Sequence, residues 1–155
     1  MKALKYEEWE QQVHEAIRAD RLRNVRVYRL ALFACDLGWK DLNKILADRR
    51  ANSLADQLYR AIGSISANIA EGFSRGTGKD RARFYEYALG SARESRDWYY
   101  KARGILSDRV ANHRIELISE IIRLLLVIVP EQRSSSLKET GEEYTVELNL
   151  DSYEL

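Results

Sequence analysis

The sequence predicts an all-α fold, an antiparallel up-down-up-down four-helix bundle. Apolar residues recur at spacings of three and four along several long segments, which is the pattern of amphipathic helices. The first 130 residues show no strand-like alternation, and the whole chain has only one proline and eight glycines. With 155 residues, 45% of them hydrophobic, the chain is long enough for one domain with a substantial core. Short connections between consecutive helices place neighbours antiparallel.

The four helices have recognisable boundaries. The patterns predict helices over about 20–45, 53–73, 77–103 and 107–129. The second and third begin with a capping-box pattern, in which a hydroxyl residue is followed three positions later by aspartate. Pro130 is expected to end the fourth helix, since proline lacks the N–H of the helical hydrogen bond.

Three regions differ in composition. Residues 1–19 form a short amphipathic helical segment expected to pack on the outside of the bundle, which occupies residues 20–130. The segment's apolar side is formed by Tyr6, Trp9, Val13 and Ile17. Residues 131–155 form a tail with two basic and seven acidic residues, a net charge of −5 that leaves +6 on the rest. We predict a mostly disordered tail, although alternating apolar residues near its end also suit an extended strand on a partner.

The second helix shows no ordinary charged face. Besides an apolar side it has a strip of small residues and a polar stripe at spacings of three and four. The stripe consists of Gln57, Arg60, Ser64, Asn68 and Glu71. Buried amides and charges need partners, so the stripe is interpreted as a structural seam between helices or as an oligomer interface. The remaining interpretation is a catalytic or ligand site, which would require an open pocket at these residues.

The fourth helix is apolar on more than one side, which one four-helix core cannot bury. Self-association is therefore expected, unless the tail or the N-terminal segment covers the surplus. The third helix combines small residues with aromatic and charged side chains on its outer faces, a composition that suits an interface.

No catalytic residue, cofactor site, metal site or small-molecule substrate is predicted. The Gly-Lys pair in residues 71–80 lacks the spacing, the hydroxyl and the preceding strand of a phosphate-binding loop. His14 and His113 lack metal-ligand spacing, and Cys35 is interpreted as a small core residue, which fits a reducing cytoplasm. The most apolar run is too short and too charged to span a membrane, so a soluble cytoplasmic protein is expected.

Basic residues point to an anionic partner. Arginine outnumbers lysine, and arginine suits phosphate recognition and base stacking. The candidates for nucleic-acid binding are Arg23, Arg26, Arg49, Arg50, Arg75, Lys79, Arg81 and Arg83. A well-charged soluble surface with internal ion pairs is the alternative.

The segment "QLYRAIGSISANIAEGFSRGTGKDRARFYEYALGSARES", residues 57–95, resembles the core signature of the bacterial four-helix-bundle proteins encoded in intervening sequences of 23S ribosomal RNA genes. The accessory variability determinant of diversity-generating retroelements looks like a relative. The resemblance covers about residues 28–129 and implies a homopentameric ring; for the retroelement relative it implies a basic surface that binds RNA and a reverse transcriptase. This chain has "SISANIAEG" where "SIPSNIAEG" is usual, so a proline kink is not expected.

The expected function is that of a non-enzymatic homo-oligomer, a pentamer, whose basic surface binds RNA or a nucleoprotein such as a reverse transcriptase. The alternative is a protein-interaction scaffold that recruits a partner through its tail and aromatic faces, without a nucleic-acid role.

Overall fold

The computed structural model describes residues 5–134, and the regular structure in that range is helical. The helices are α1 (Tyr6–Gln12), α2 (Glu15–Arg18), α3 (Arg26–Ile45), α4 (Asn52–Phe73), α5 (Gly78–Ala102) and α6 (Asp108–Ser134), with single 3-10 turns at Arg21–Asn24 and Arg49–Ala51. Helix α4 packs against α3 and α5, and α6 packs against α5 and α3, so the last four helices close into a bundle. This confirms the predicted fold. The predicted tail, residues 131–155, overlaps α6 over residues 131–134, and its remainder lies outside the described residues.

The N-terminal segment packs on α3 through an aromatic cluster. Trp9 is almost fully buried, and its ring lies 5.5 Å from that of Tyr6 and 5.1 Å from that of Phe33. Its indole Nε1 donates a hydrogen bond of 2.6 Å to Asp36 Oδ2. Ile17 departs from the predicted apolar side, since it is 40% exposed. The segment therefore contributes one large side chain, Trp9, to the core itself.

Of the two hydroxyl caps expected from the capping-box patterns, the one at Thr77 is present. Thr77 Oγ1 accepts a hydrogen bond of 3.1 Å from the N–H of Asp80 at the start of α5. The Ser53 cap is not found, because a 3-10 turn runs directly into α4 and places Ser53 inside the first helical turn. Asp48 caps that turn instead, accepting from the N–H of Arg50 at 3.0 Å.

Pro130 does not end α6, contrary to the prediction, and the helix continues through one further turn to Ser134. Proline removes only the hydrogen bond to the carbonyl of Leu126, and both residues are exposed, so water can satisfy that carbonyl. The extra turn also makes contacts with α5. Gln132 Oε1 accepts from Arg81 Nε at 2.8 Å, and Arg133 forms an ion pair with Glu86.

The α4–α5 corner depends on the absence of a side chain at Gly72. A Cβ there would lie 2.8 Å from Tyr85 Cε1 and 3.0 Å from Phe84 Cβ, closer than real contacts allow. Glycine at this position lets the end of α4 pack directly on the first turns of α5.

A buried polar network joins three helices of the bundle. Asp41 on α3 accepts hydrogen bonds from Tyr99 on α5 at 3.0 Å and from Arg114 Nε on α6 at 2.7 Å. A second Arg114 contact, from Nη2 to Asp41 Oδ1, measures 3.3 Å. All three residues are buried, and buried charges are tolerated only when paired and hydrogen-bonded in this way.

His113 completes the network as a neutral group. Its Nδ1 lies 2.7 Å from Arg114 Nη1, and since guanidinium can only donate, Nδ1 accepts. Burial, followed by the positive charge of Arg114, lowers the pKa of His113 from 6.5 to about 4, with Asp41 opposing the shift. The fold therefore favours the uncharged imidazole at neutral pH.

We expect Asp41→Ala to destabilise the protein by about 3–5 kcal/mol, because it leaves the Arg114 guanidinium buried and unpaired. Asp97→Ala is the matched control: Asp97 is an exposed aspartate whose ion pair with Lys101 lies on the α5 surface, and it should cost less than about 1 kcal/mol. Denaturant unfolding of the two variants measures the difference. Equal losses would show that the network does not stabilise the bundle.

Stability should fall as the pH drops from about 6.5 towards 4, because the unfolded chain takes up a proton on His113 that the folded chain resists. His113→Gln retains an acceptor for Arg114 but cannot titrate, so it should weaken this pH dependence by about 2 kcal/mol across that window. Unfolding free energies at several pH values give the comparison. An identical pH profile in His113→Gln and in the wild type would contradict this prediction.

Candidate nucleic-acid interface

The eight predicted cations do not form one surface, and three of them have structural roles. Arg23 is 7% exposed, forms an ion pair with Glu10 at 3.0 Å and lies over the Trp9 ring at 5.5 Å. Arg26 forms an ion pair with Glu120 on α6 at 3.8 Å. These contacts attach the N-terminal segment and α6 to the start of α3. They correct the expectation that Arg23 and Arg26 present their charge to a nucleic acid.

Four predicted cations meet at the turn between α4 and α5, around Phe84. The guanidinium of Arg75 lies 4.4 Å from the Phe84 ring centroid and that of Arg83 lies 5.5 Å from it. Arg75 also forms an ion pair with Glu71, and Arg83 is 4.0 Å from Asp80. Much of the charge in this cluster is therefore balanced by neighbouring carboxylates.

The other two cations of this turn differ in their roles. Arg81 donates to Gln132 Oε1 at 2.8 Å and to the carbonyl of Arg75 at 3.1 Å, so it holds α4, α5 and α6 together. Lys79 is exposed and makes no ion pair with any residue in the described part of the chain. This end of the bundle thus offers few uncommitted cations.

The opposite end of the bundle carries a stronger excess of positive charge. Antiparallel topology brings residues 40–51 and 97–109 together there, and we call their charged surface the basic end. Its only carboxylates outside the buried network are Asp48, Asp97 and Asp108. Its cations are all exposed: Lys40, Lys44, Arg49, Arg50, Lys101, Arg103 and Arg109.

Two of the basic-end carboxylates are already paired. Hydrogen bonds from Arg50, chiefly from its side chain, lower the pKa of Asp48 to about 2, so Asp48 stays ionised and bound to Arg50. Asp97 pairs with Lys101. Lys44, Arg49 and Arg109 make no ion pair within residues 5–134 and leave their charge directed to solvent. Of the candidates predicted from the sequence, Arg49 and Arg50 lie here, and the topology brings the other cations to them.

The two charged ends are too far apart to form one site on a single chain. At about 1.5 Å per residue, the 25 residues of α5 span roughly 37 Å. Arg49 and Arg50 therefore belong to a different surface from Arg75, Lys79 and Arg83.

The polar stripe of α4 lies on the outside of the bundle. Gln57, Ser64 and Asn68 are half-buried, and Arg60 and Glu71 are exposed. Their hydrogen bonds and ion pairs stay local, such as Ser64 Oγ to the Arg60 carbonyl at 2.7 Å and Asn68 Nδ2 to the Ser64 carbonyl at 2.8 Å. The stripe therefore does not form an interhelical seam within the bundle, which corrects that interpretation; the interface interpretation stays a prediction.

Small and aromatic residues extend this outer face of α4. A Cβ added at Gly63 would meet nothing within 4 Å, and Ala67 is exposed. Trp39 on α3 is 61% exposed, and its ring lies 5.6 Å from that of Tyr59 on α4. We call Tyr59, Gly63, Ala67 and the stripe the α4 face.

Helix α6 exposes fewer apolar side chains than the sequence indicated. Most of its apolar residues lie in the core, and only Leu126 and Val127 are exposed large apolar residues of α6 in the described range. Cys35, predicted as a core residue, is only partly buried. Exposed apolar area is therefore concentrated in aromatic side chains rather than in α6.

Two further properties of residues 5–134 bear on function. They contain no cluster of three or more histidine, cysteine or carboxylate residues able to hold a metal ion. None of the helices in that range is both long and apolar enough to cross a membrane.

The fold and the sequence both match known proteins. The chain resembles a solved structure from Bacteroides thetaiotaomicron, a protein with unknown function from the S23 ribosomal protein family, with a TM-score of 0.63 and 20% identity. That alignment covers 66% of this chain and 97% of the other, and at this identity it supports the fold alone. Comparison with curated proteins found no match. Residues 23–126, from the turn before α3 into α6, match the model of the 23S rRNA-intervening sequence proteins, and the chain belongs to that family.

Proposed function

We propose that this protein is a non-enzymatic homo-oligomer that binds RNA through its basic end. The observation that carries the proposal is the excess of seven exposed cations over three carboxylates at that end, two of which are already paired. Clustered arginine and lysine side chains release counterions from a phosphate backbone and bind it without reading sequence.

The α4 face supports self-association. Its small residues allow another backbone to approach closely, and two of its polar side chains, Ser64 and Asn68, are already hydrogen-bonded within α4. The exposed ring of Tyr59 belongs to this face and that of Trp39 lies beside it, and aromatic residues are enriched in protein interfaces. We take the pentamer implied by the family resemblance as the proposed state. In a ring with parallel bundle axes, all basic ends would lie on one side and add their fields.

The second candidate function is a protein-binding scaffold. It is favoured by exposed aromatic residues away from the basic end, above all Tyr87, which is 54% exposed on α5. A reverse transcriptase partner, as implied for the retroelement relative, would fit either function and stays a prediction.

Reversing charge at the basic end should weaken RNA binding. The double variant Arg49→Glu and Arg109→Glu changes one exposed residue in each half of the basic end. We expect at least about a tenfold loss of affinity, and a log–log slope of affinity against salt that is shallower by about one to two. Fluorescence anisotropy with labelled RNA at several salt concentrations measures both quantities. Lys79→Glu with Arg83→Glu, at the other end, is the matched control and should retain most of the affinity.

The proposal fails if the intact protein binds no RNA, or if its binding does not depend on salt. It also fails in its choice of surface if the control variant loses as much affinity as the basic-end variant.

Gly63→Leu should disrupt the oligomer without unfolding the chain. The position is open within one bundle, and leucine is a better helix former than glycine by about 0.5–1 kcal/mol. Sedimentation velocity should show a smaller species, with helical content unchanged by circular dichroism. Gly90→Leu is the matched control, because Gly90 is equally open but lies on α5. An unchanged oligomer in Gly63→Leu would remove the α4 face from the interface.

A further inference from the structure

A shallow open groove runs between α5 and α6 next to the basic end. Its lining residues are Arg93, Arg96, Asp97 and Tyr100 from α5 and Ile115 from α6. Spacings of three and four place Arg93, Arg96 and Tyr100 along one face of α5. The groove therefore combines two cations, an aromatic ring and an apolar wall.

Tyr100 contributes an exposed aromatic ring to this groove. It is 55% exposed, and the guanidinium of Arg103 lies 3.7 Å from its ring centroid. Arg103 is held there because its Nη1 donates a hydrogen bond of 2.6 Å to the Tyr100 carbonyl. A guanidinium covers only one face of a ring, so the other face of Tyr100 remains for a second planar group.

The charge lining the groove is positive. Arg93 is exposed and makes no ion pair with any described residue, and Arg96 is positioned by a hydrogen bond of 3.3 Å from Nη1 to Ser119 Oγ on α6. The single carboxylate, Asp97, pairs with Lys101. Two guanidinium groups remain beside an exposed ring, which is the combination that binds phosphates and stacks bases.

We propose that this groove binds single-stranded RNA, with an unpaired base stacked on Tyr100 and the adjoining phosphates contacting Arg93 and Arg96. The proposal rests on the proposed function and narrows it to unpaired RNA at named residues. A base inside a duplex has both faces covered by its neighbours, so only an unpaired base can stack on a side chain. Since Arg103 also belongs to the basic end, a strand leaving the groove continues onto that surface.

The test compares a short oligouridylate with an RNA duplex of the same length. Tyr100→Ala should weaken oligouridylate binding by about tenfold, the loss expected for one stacked base, and should change duplex binding by less than about twofold. Tyr100→Phe keeps the ring and should bind both probes like the wild type. Tyr87→Ala removes an equally exposed tyrosine from the same helix and should also match the wild type.

A second variant tests the phosphate contacts. Arg93→Gln should reduce the log–log salt slope for oligouridylate by about 0.7, the value for one phosphate contact to a single strand. Melting temperatures of all variants should stay near the wild-type value, since Tyr100 and Arg93 are exposed.

The outcomes separate this proposal from the broader one. If the wild type binds neither probe, the proposed function fails and this proposal fails with it. If the wild type binds RNA but Tyr100→Ala binds oligouridylate as tightly, the groove is not the site, while RNA binding by the basic end stands. Equal losses in Tyr100→Ala and Tyr87→Ala would likewise exclude a specific stacking role for Tyr100.

Discussion

The buried ion pair between Asp41 and Arg114 is the contact on which the basic end depends. It joins the last turns of α3 to the start of α6, and the Tyr99 hydroxyl adds α5 to the same carboxylate. Gly38 makes room for this arrangement, because a Cβ there would lie 3.3 Å from the Tyr99 hydroxyl. Cations on converging chain segments repel one another, so their helices must be held together from within. The network provides that restraint one turn below the exposed charges.

The neutral state of His113 follows from the same constraint. A charged imidazole beside the Arg114 guanidinium would place two buried positive charges against one carboxylate. The lowered pKa of His113 avoids this, and it leaves the Asp41–Arg114 pair as the only full charges of the network at neutral pH. The buried network therefore carries no net charge, while the surface above it carries an excess of positive charge. The basic end can thus be strongly positive without an unpaired charge in the core.

Helix periodicity was sufficient to predict the bundle, and the Thr77 cap was readable because it depends on residues four positions apart or fewer. Features that depend on contacts between distant parts of the chain could not be predicted from the sequence. Pro130 lies inside α6 because Arg81 and Glu86 on α5 hold the turn after it. The sequence predicted Arg23 as a candidate for nucleic-acid binding, but its ion pair with Glu10 and its contact with the Trp9 ring bury it. The basic end was not predicted because its two halves are about fifty residues apart in sequence and meet only through antiparallel topology.

The outer face of α4 and the α5–α6 groove are separated by α5, so an interface formed by the α4 face alone would leave the groove open. Ser64 and Asn68 already bond to carbonyls of their own helix, and burying them against another chain would leave few polar groups unsatisfied. Within residues 5–134, the side chains of Arg93 and Tyr100 make no hydrogen bond, and both residues are exposed. An interface can bury side chains whose hydrogen bonds are already formed within their own helix. A binding groove needs side chains whose polar atoms remain accessible to a ligand. An oligomer joined through α4 would then display several grooves at once, and linked sites bind one flexible strand more tightly than any single groove can.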